Sequence, residues 1–297
     1  MTTKLIQGDS ISVPLDDDSV DLVFCSPPYE AARTYGIGFK LKGDEWVQWA
    51  ADRYMEHLRV CKGLVAWVVE GQTRQFQYSC APILLMAELH KRGVKLRKPP
   101  IYKRNGIPGS GGPDWLRNDY EFIVCGTKGG RLAWSDNTAM GHPPKYAAGG
   151  APSHRTKDGR RVGDRPDAAY KGEPDADEGR RVGRHRARRQ AGLAYKPPKI
   201  ANPGNVIDCG AVGGSNMGSK LAHENEAPFP EKLAEFFIKS FCPPGGTVLD
   251  PFGGSGTTIA AAIKSGRNAI GMDIRESQIE LMERRIEEAA GLAYSKG

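Results

Sequence analysis

The chain has 297 residues, 39% hydrophobic and 26% charged, with a net charge of +7. That length suits one large α/β domain with an insertion, or two small domains, and no apolar run approaches the roughly 18 residues of a membrane span. Six scattered cysteines with no Cys-x-x-Cys pair argue against a disulfide framework or a zinc site, while the basic balance favours an anionic partner, nucleic acid first.

Met1 to Leu5 lacks the long apolar core of a secretory signal, and the scattered cysteines make a reducing cytoplasm the simplest expected setting. Lys4 to Gln7 predicts a short strand leading into Gly8-Asp9. Asp9 is a candidate ligand-facing acid at a strand end, with a turn-forming role as its alternative. Val20 to Phe24 is an apolar strand running into Cys25-Ser26-Pro27-Pro28-Tyr29. Two prolines fix two φ angles and remove two N–H donors. Ser26, before a proline, is pushed toward extended backbone. The result is a stiff platform carrying a hydroxyl, carbonyls and an aromatic face, equipment for holding a planar ring with an exocyclic NH2. Tyr29 can stack on such a ring, and Ser26 with the Pro27 or Pro28 carbonyl can accept from the amino group. A plain proline-rich turn is the alternative.

Glu30 to Gly43 reads as a mobile loop beside this platform. Asp44 is a plausible N-cap for a helix on which Trp46, Val47, Trp49, Ala50, Tyr54, Met55, Leu58 and Val60 keep helical spacing. Gly63 is its expected stop. Leu64 to Val69 predicts a strand, Ala81 to Arg92 a helix ended by Gly93, and Glu121 to Cys125 a strand closed by Gly126. Alternating strands and helices predict a largely parallel sheet.

From Gly129 to about Ser219 apolar periodicity disappears. Gly159-Arg160-Arg161-Val162-Gly163 recurs as Gly179-Arg180-Arg181-Val182-Gly183, and Arg184, Arg186, Arg188 and Arg189 form the densest basic cluster. Ser153 to Lys199 holds 14 Lys or Arg against 7 Asp or Glu, an excess equal to the net charge of the whole chain. A partly disordered, DNA-reading arm on phosphates and base edges is expected here, against a solvated linker.

Order returns near Glu224. Phe229-Pro230-Glu231 starts a helix through Ser240, and Thr247 to Leu249 is a buried strand. It runs into Asp250-Pro251-Phe252-Gly253-Gly254-Ser255-Gly256-Thr257-Thr258, followed by a helix to Lys264, a stop at Gly266, a strand from Asn268 to Met272, and Asp273 at its end. This βαβ unit offers close backbone approach, free helix N-terminal N–H groups for a carboxylate, and an acid suited to a ribose diol. The loop lacks the lysine of a triphosphate loop. Ile259 stands where a dinucleotide loop has its third glycine. A zwitterionic nucleoside, S-adenosylmethionine, remains, with a tight strand-to-helix turn as the alternative.

Together the two segments resemble the amino-directed DNA methyltransferases, which methylate the exocyclic nitrogen of cytosine or adenine. Ser26-Pro27-Pro28-Tyr29 is similar to their catalytic motif, and Asp250 to Thr258 to their cofactor loop. Asp273 matches the ribose acid, Ala227-Pro228-Phe229-Pro230 the segment lining the methionine pocket, and Gly8-Asp9 the acid near the cofactor adenine. The catalytic motif precedes the cofactor loop, the permuted β-class order, with the insertion where that class carries its target-recognition region. The resemblance covers roughly residues 4–128 and 221–290. It implies a mostly parallel, Rossmann-like methyltransferase sheet with helices on both faces, plus an irregular basic insertion. The implied division is 1–128 as catalytic half, 129–220 as target-recognition insertion, and 221–297 as cofactor half. The implied cofactor is S-adenosylmethionine and the substrate double-stranded DNA. A cognate restriction endonuclease is a further expected partner, the setting is prokaryotic or phage and nucleoid-associated, and the chain is expected to be a monomer or homodimer without a metal.

Ser before Pro-Pro-Tyr is commoner in the cytosine-N4 enzymes and Asp or Asn in the adenine-N6 enzymes, which favours cytosine with adenine as the alternative. Ring-carbon cytosine methylation needs a Pro-Cys nucleophile, and no cysteine here follows a proline. Protein glutamine methyltransferases carry Asn at the first motif position and the glycine loop earlier in the chain. A non-catalytic basic DNA-binding protein with this fold is the alternative of another class.

Overall fold

The computed structural model describes residues 1–31, 38–104, 111–144, 199–210, 214–225 and 227–294. The chain forms two compact units, Met1–Met140 with Gly204–Gly297, and Gly141–Pro203. Among the described residues of the smaller unit, His142 and Ala201 exchange backbone hydrogen bonds in an antiparallel bridge.

The larger unit is built on one sheet. Its strands are β1 (Thr3–Gln7), β2 (Val20–Cys25), β3 (Cys61–Val69), β6 (Lys95–Leu96), β7 (Ile101–Lys103), β8 (Tyr120–Thr127), β9 (Val206–Asp208), β10 (Thr247–Asp250) and β11 (Asn268–Asp273). A separate hairpin pairs β4 (Thr73–Arg74) with β5 (Gln77–Tyr78). The sheet order is β1-β11-β10-β2-β3-β8-β7-β9, with β6 also on β8. From β1 to β3 every pairing is parallel; β8 runs antiparallel to β3, β6 and β7. β9, from the stretch read as insertion, adds a parallel edge strand to β7.

Five α-helices flank this sheet among the described residues: α1 (Gly43–Val60), α2 (Ala81–Lys91), α3 (Glu231–Phe241), α4 (Thr257–Lys264) and α5 (Glu276–Tyr294). Alternation along the central strands divides the core in two. Leu22, Phe24, Leu64, Ala66 and Val68 pack with Phe237 of α3 and Ile259 of α4. Val23, Cys25, Val65, Trp67 and Val69 pack with Trp46 and Tyr54 of α1 and Leu85 of α2. Both faces are covered, which is why these strands read as continuous apolar runs.

Two glycines have reasons other than those read from sequence. Gly63, the expected stop of α1, lies inside β3, because the helix ends at Val60 and Cys61 continues directly as strand. A Cβ on Gly63 would overlap the Asp21 carbonyl oxygen, where the β2–β3 register shifts between Val20 and Leu22. Gly126 does not close β8, which continues to Thr127; a side chain there would press on the Tyr54 hydroxyl and Val94.

Candidate functional site

β2 and β10 are parallel neighbours, with Val248 paired to Leu22 and Leu249 to Val23. Their carboxyl ends therefore lie side by side, and the chain leaves them in opposite directions across the sheet. This is the switch point at which open α/β sheets form a crevice. The Pro-Pro-Tyr corner follows β2 and the glycine loop follows β10. Both line one cleft of about 730 Å³, which Ser26, Pro28, Tyr29, Phe252, Gly254 and Asp273 share.

At the first corner the Ser26 hydroxyl lies 3.2 Å from the Val68 carbonyl oxygen and 3.3 Å from the Tyr29 hydroxyl. It donates to one of them and keeps its own lone pairs for an incoming donor. Tyr29 donates to Glu121 Oε2 at 2.8 Å, and Arg104 forms an ion pair with the other oxygen of that carboxylate. The Pro28 carbonyl already accepts the Trp46 indole N–H at 2.9 Å, and Pro27 is buried outside the cleft lining. Of the acceptors read from the sequence, the Ser26 hydroxyl is the one that reaches the cleft without a prior anchor of this kind.

Glu70 follows β3 at the same sheet edge and is 6% exposed. Its Oε1 accepts from Tyr78 and from the Gly71 N–H, both at 2.8 Å. Its Oε2 is buried and finds no partner among the described residues. Burial pushes this carboxyl up to about 7, assisted by the nearby charge of Glu121 and opposed by the Tyr78 and Gly71 hydrogen bonds and by Arg104.

The second corner mostly satisfies itself. Gly253 donates to the Met272 carbonyl at 2.7 Å, and its Cβ position is filled by the Met282 thioether. Gly256 caps α4 at φ 73°. Ser255 and Thr257 hydroxyls pair at 3.2 Å, and the Thr258 hydroxyl lies 3.3 Å from the Phe24 carbonyl oxygen and within hydrogen-bond reach of Asp250, with one hydrogen to give to either. Asp250 is 1% exposed and accepts from the Phe252 N–H at 3.1 Å. Burial pushes its carboxyl up to about 7, against hydrogen bonds from Thr258 and Phe252. Pro230 is the N-cap of α3, and Phe229 reaches the cleft while meeting Phe24 edge-on at 5.5 Å. Asp250, Gly253, Ser255, Gly256, Thr257, Thr258 and Pro230 thus shape the corner from behind, and Phe229, Phe252, Gly254 and Asp273 face the cleft.

Asp273 accepts from the Gly254 N–H at 3.1 Å and the Arg275 N–H at 3.0 Å. Asp9 caps a turn, accepting from the Ile11 N–H at 3.1 Å, and it also lines the cleft, gripped by Arg53 at 2.8 Å through both oxygens. The Arg53 guanidinium lies 4.3 Å over Trp49, whose ring also meets Phe39 and Phe252. The proposed DNA-contacting arginines 160, 161, 180, 181, 184, 186, 188 and 189 lie outside the described residues.

These groups fit a zwitterionic nucleoside. The Asn225 Oδ1 is buried at the cleft and has no partner among the described residues. It stands beside Gly254, where an added Cβ would sit 2.9 Å from Asn225 Nδ2. That acceptor suits an ammonium, the Asp273 carboxylate suits a diol, and the Phe39, Trp49 and Phe252 rings suit a flat base.

Residues 20–284 match the family model described as DNA methylase, which covers the N6 and N4 enzymes. The chain belongs to this family. A relative over most of its length is the orphan methyltransferase M.BamHII of Bacillus amyloliquefaciens, 26% identical over 92% of this chain and 90% of that protein. Among solved structures, the PvuII DNA methyltransferase (cytosine-N4-specific) shares the fold at a TM-score of 0.65 and 17% identity, covering 98% of this chain and 91% of that one. A Thermus thermophilus protein solved with S-adenosyl-L-methionine shares it at 0.56 and 19% identity, covering 97% and 96%. The methylase is thus a DNA amino-methyltransferase with a mostly parallel α/β sheet, and its cofactor is S-adenosylmethionine. No helix among its described residues is long and apolar enough to cross a membrane, and no group of ligating side chains there could hold a metal ion.

Sequence reasoning missed Glu70, Glu121, Arg104, Arg53 and Asn225. The signal for Glu70 was present, since the rule that flagged Asp9 and Asp273 covers any acid after a parallel strand. Glu121 required knowing that β8 runs antiparallel, which brings its first residues to the cleft edge.

Proposed function

We propose that this methylase acts on the N4 amino group of cytosine extruded from double-stranded DNA. The carrying observation is the neutral Ser26 hydroxyl, placed at the cleft beside the Val68 carbonyl and the Tyr29 hydroxyl, while the Glu121 side chain that also lines the cleft is engaged by Tyr29 and Arg104. Cytosine presents one amino group beside a ring-nitrogen acceptor, and a hydroxyl can accept from the first or donate to the second. Tyr29 stacks on the base and Ser26 orients its amino nitrogen. S-adenosylmethionine, when bound, supplies an electrophilic methyl group on a sulfonium.

Asn225 and the Gly254 corner hold the cofactor's amino acid, Asp273 its ribose, and Asp9, Trp49 and Phe252 frame its base. Positioning supplies most of the acceleration, since the two reactants need alignment more than activation. The amino nitrogen gains a carbon and must lose a proton. Glu70, with an unpartnered oxygen in the cleft, accepts it. Extruding the base costs a few kcal/mol, and stacking on an aromatic ring returns about 1–3 kcal/mol. Residues 129–220, with their excess of arginine, form the target-reading region and supply phosphate contacts.

Mass spectrometry of nucleosides from unmethylated DNA treated with the methylase and its cofactor tests this. N4-methylcytosine is the expected product. N6-methyladenine would replace the base assignment while keeping the cleft, and DNA retention without any methylated nucleoside would leave a binding protein only.

A further inference from the structure

The hairpin β4–β5 rises directly from the cleft. Its root is fixed: Glu70, Gly71, Gln72 and Arg74 line the cleft, Tyr78 is tied to Glu70, and Ser79 N–H donates to the Gln72 carbonyl at 2.9 Å. Its tip is the two-residue turn Gln75-Phe76, with φ of 47° and 64°. Turns with two left-handed residues favour Asn and Gly, which tolerate that backbone. A phenylalanine there is strained, and its ring gains little burial in return. Phe76 is 67% exposed and touched edge-on by Trp115 at 5.4 Å, and Leu116, next in the chain after Trp115, is 92% exposed.

Strain of this kind, at an apolar tip rooted on a reactive cleft, points to a use outside the folded chain. A stable protein interface needs a broad complementary face, and a single ring on a two-residue turn is too narrow for one. It has the form of the apolar wedges that part stacked bases in duplex DNA.

We propose that Phe76, backed by Trp115, enters the duplex beside the target and fills the space the extruded base leaves. This rests on the DNA methyltransferase reading above. It assigns the gap-filling contact to a hairpin of the catalytic unit rather than to the arginine-rich stretch.

The test uses the full-length enzyme, labelled cofactor and one plasmid in relaxed and negatively supercoiled forms, the second of which opens base pairs more readily. Phe76→Gly relieves the backbone strain, so its thermal unfolding temperature should equal or exceed that of the parent, while its kcat/KM on relaxed plasmid falls about 10-fold or more. The deficit should shrink on supercoiled plasmid, cofactor affinity should hold, and Phe76→Leu should recover most of the loss. Parental transfer by Phe76→Gly on relaxed plasmid would overturn the wedge, as would an equal deficit on both plasmid forms. A dimer of the parent protein that dissociates in the variant would assign the tip to a second copy instead. If the parent enzyme itself transfers no label to either plasmid, it is the underlying methyltransferase reading that fails.

Discussion

The two corners of the cleft are built on opposite plans. The glycine corner is mostly local: within Asp250 to Thr258 and the next strand, most of its polar groups satisfy one another, with Thr258 reaching toward the Phe24 carbonyl of β2, and Met282 packs where side chains are missing. The Pro-Pro-Tyr corner is assembled from distant chain. Trp46 holds the Pro28 carbonyl, Val68 the Ser26 hydroxyl, and Glu121 with Arg104 the Tyr29 hydroxyl. A corner that holds a cofactor can be rigid from its own sequence. On the proposed reading, the corner that receives a base swung out of a helix is braced from three neighbouring elements.

The sharpest division comes from Tyr29→Ala. It removes the stacking face and leaves the glycine corner untouched. Single-turnover methyl transfer should fall by about 100-fold or more, with cofactor affinity by calorimetry essentially unchanged. Normal transfer at saturating cofactor with weakened cofactor binding would reverse the roles of the two corners. Glu70→Gln should lower transfer by about 100-fold at pH 8. In the parent enzyme the rate should rise as pH passes about 7, where this carboxyl ionises, because only the ionised form accepts a proton. The variant should lose that rise. Asp273→Ala acts on the other corner, removing hydrogen bonds to a charged acceptor, and should weaken cofactor binding by about 10–100-fold. Its maximal rate at saturation should change much less.

That contrast in construction also explains what could be read without coordinates. The unit from Thr247 to Asp273 was legible nearly to the residue, because strand, glycine turn, helix and acid follow one another and interact locally. Ser26 and Tyr29 were legible as a stiff platform, since two prolines act on their own neighbours. What braces them was not. Glu121 sits at the start of a strand whose direction is set by tertiary pairing, and the Pro28 carbonyl reads as available although Trp46 occupies it. Gly63 and Gly126 mislead for the same reason: each reads as a local stop, and each exists because another element presses close. Asn225 had no local signal, for its polar end matters only where it meets Gly254.

Gly253→Ala would test how local the glycine corner is. The added methyl overlaps the Met282 thioether, so about 1–3 kcal/mol of stability should be lost as the loop or α5 shifts. The same substitution at Gly266, where nothing lies within 4 Å of the added carbon, meets only its φ of 73°. Urea unfolding of the two variants separates crowding from backbone strain. A Gly253→Ala variant as stable as the parent would mean that packing against Met282 does not fix the corner.

Asp250→Asn isolates the last feature of that corner, its buried acid. The folded state holds the Asp250 proton to about pH 7, against an ordinary value of 3.8. A native state that binds the proton more tightly than the unfolded chain is most stable below the unfolded value. Its stability then declines as pH rises from about 4 to about 7, by at most about 1.4 kcal/mol per pH unit for one proton, and levels off above. Asparagine keeps the side chain's shape and an acceptor for the Phe252 N–H, and it cannot ionise. Urea unfolding across pH 4 to 8 should therefore show a shallower decline in the variant, with near-coincident stabilities at the acid end and the variant the more stable at pH 8. Some slope should persist, because Glu70 titrates in the same window from the other corner. Adding Glu70→Gln should remove most of what remains. Parallel curves for parent and Asp250→Asn would show that Thr258 and Phe252 hold this carboxyl ionised despite its burial, and the loop would then carry a fixed negative charge behind Gly254.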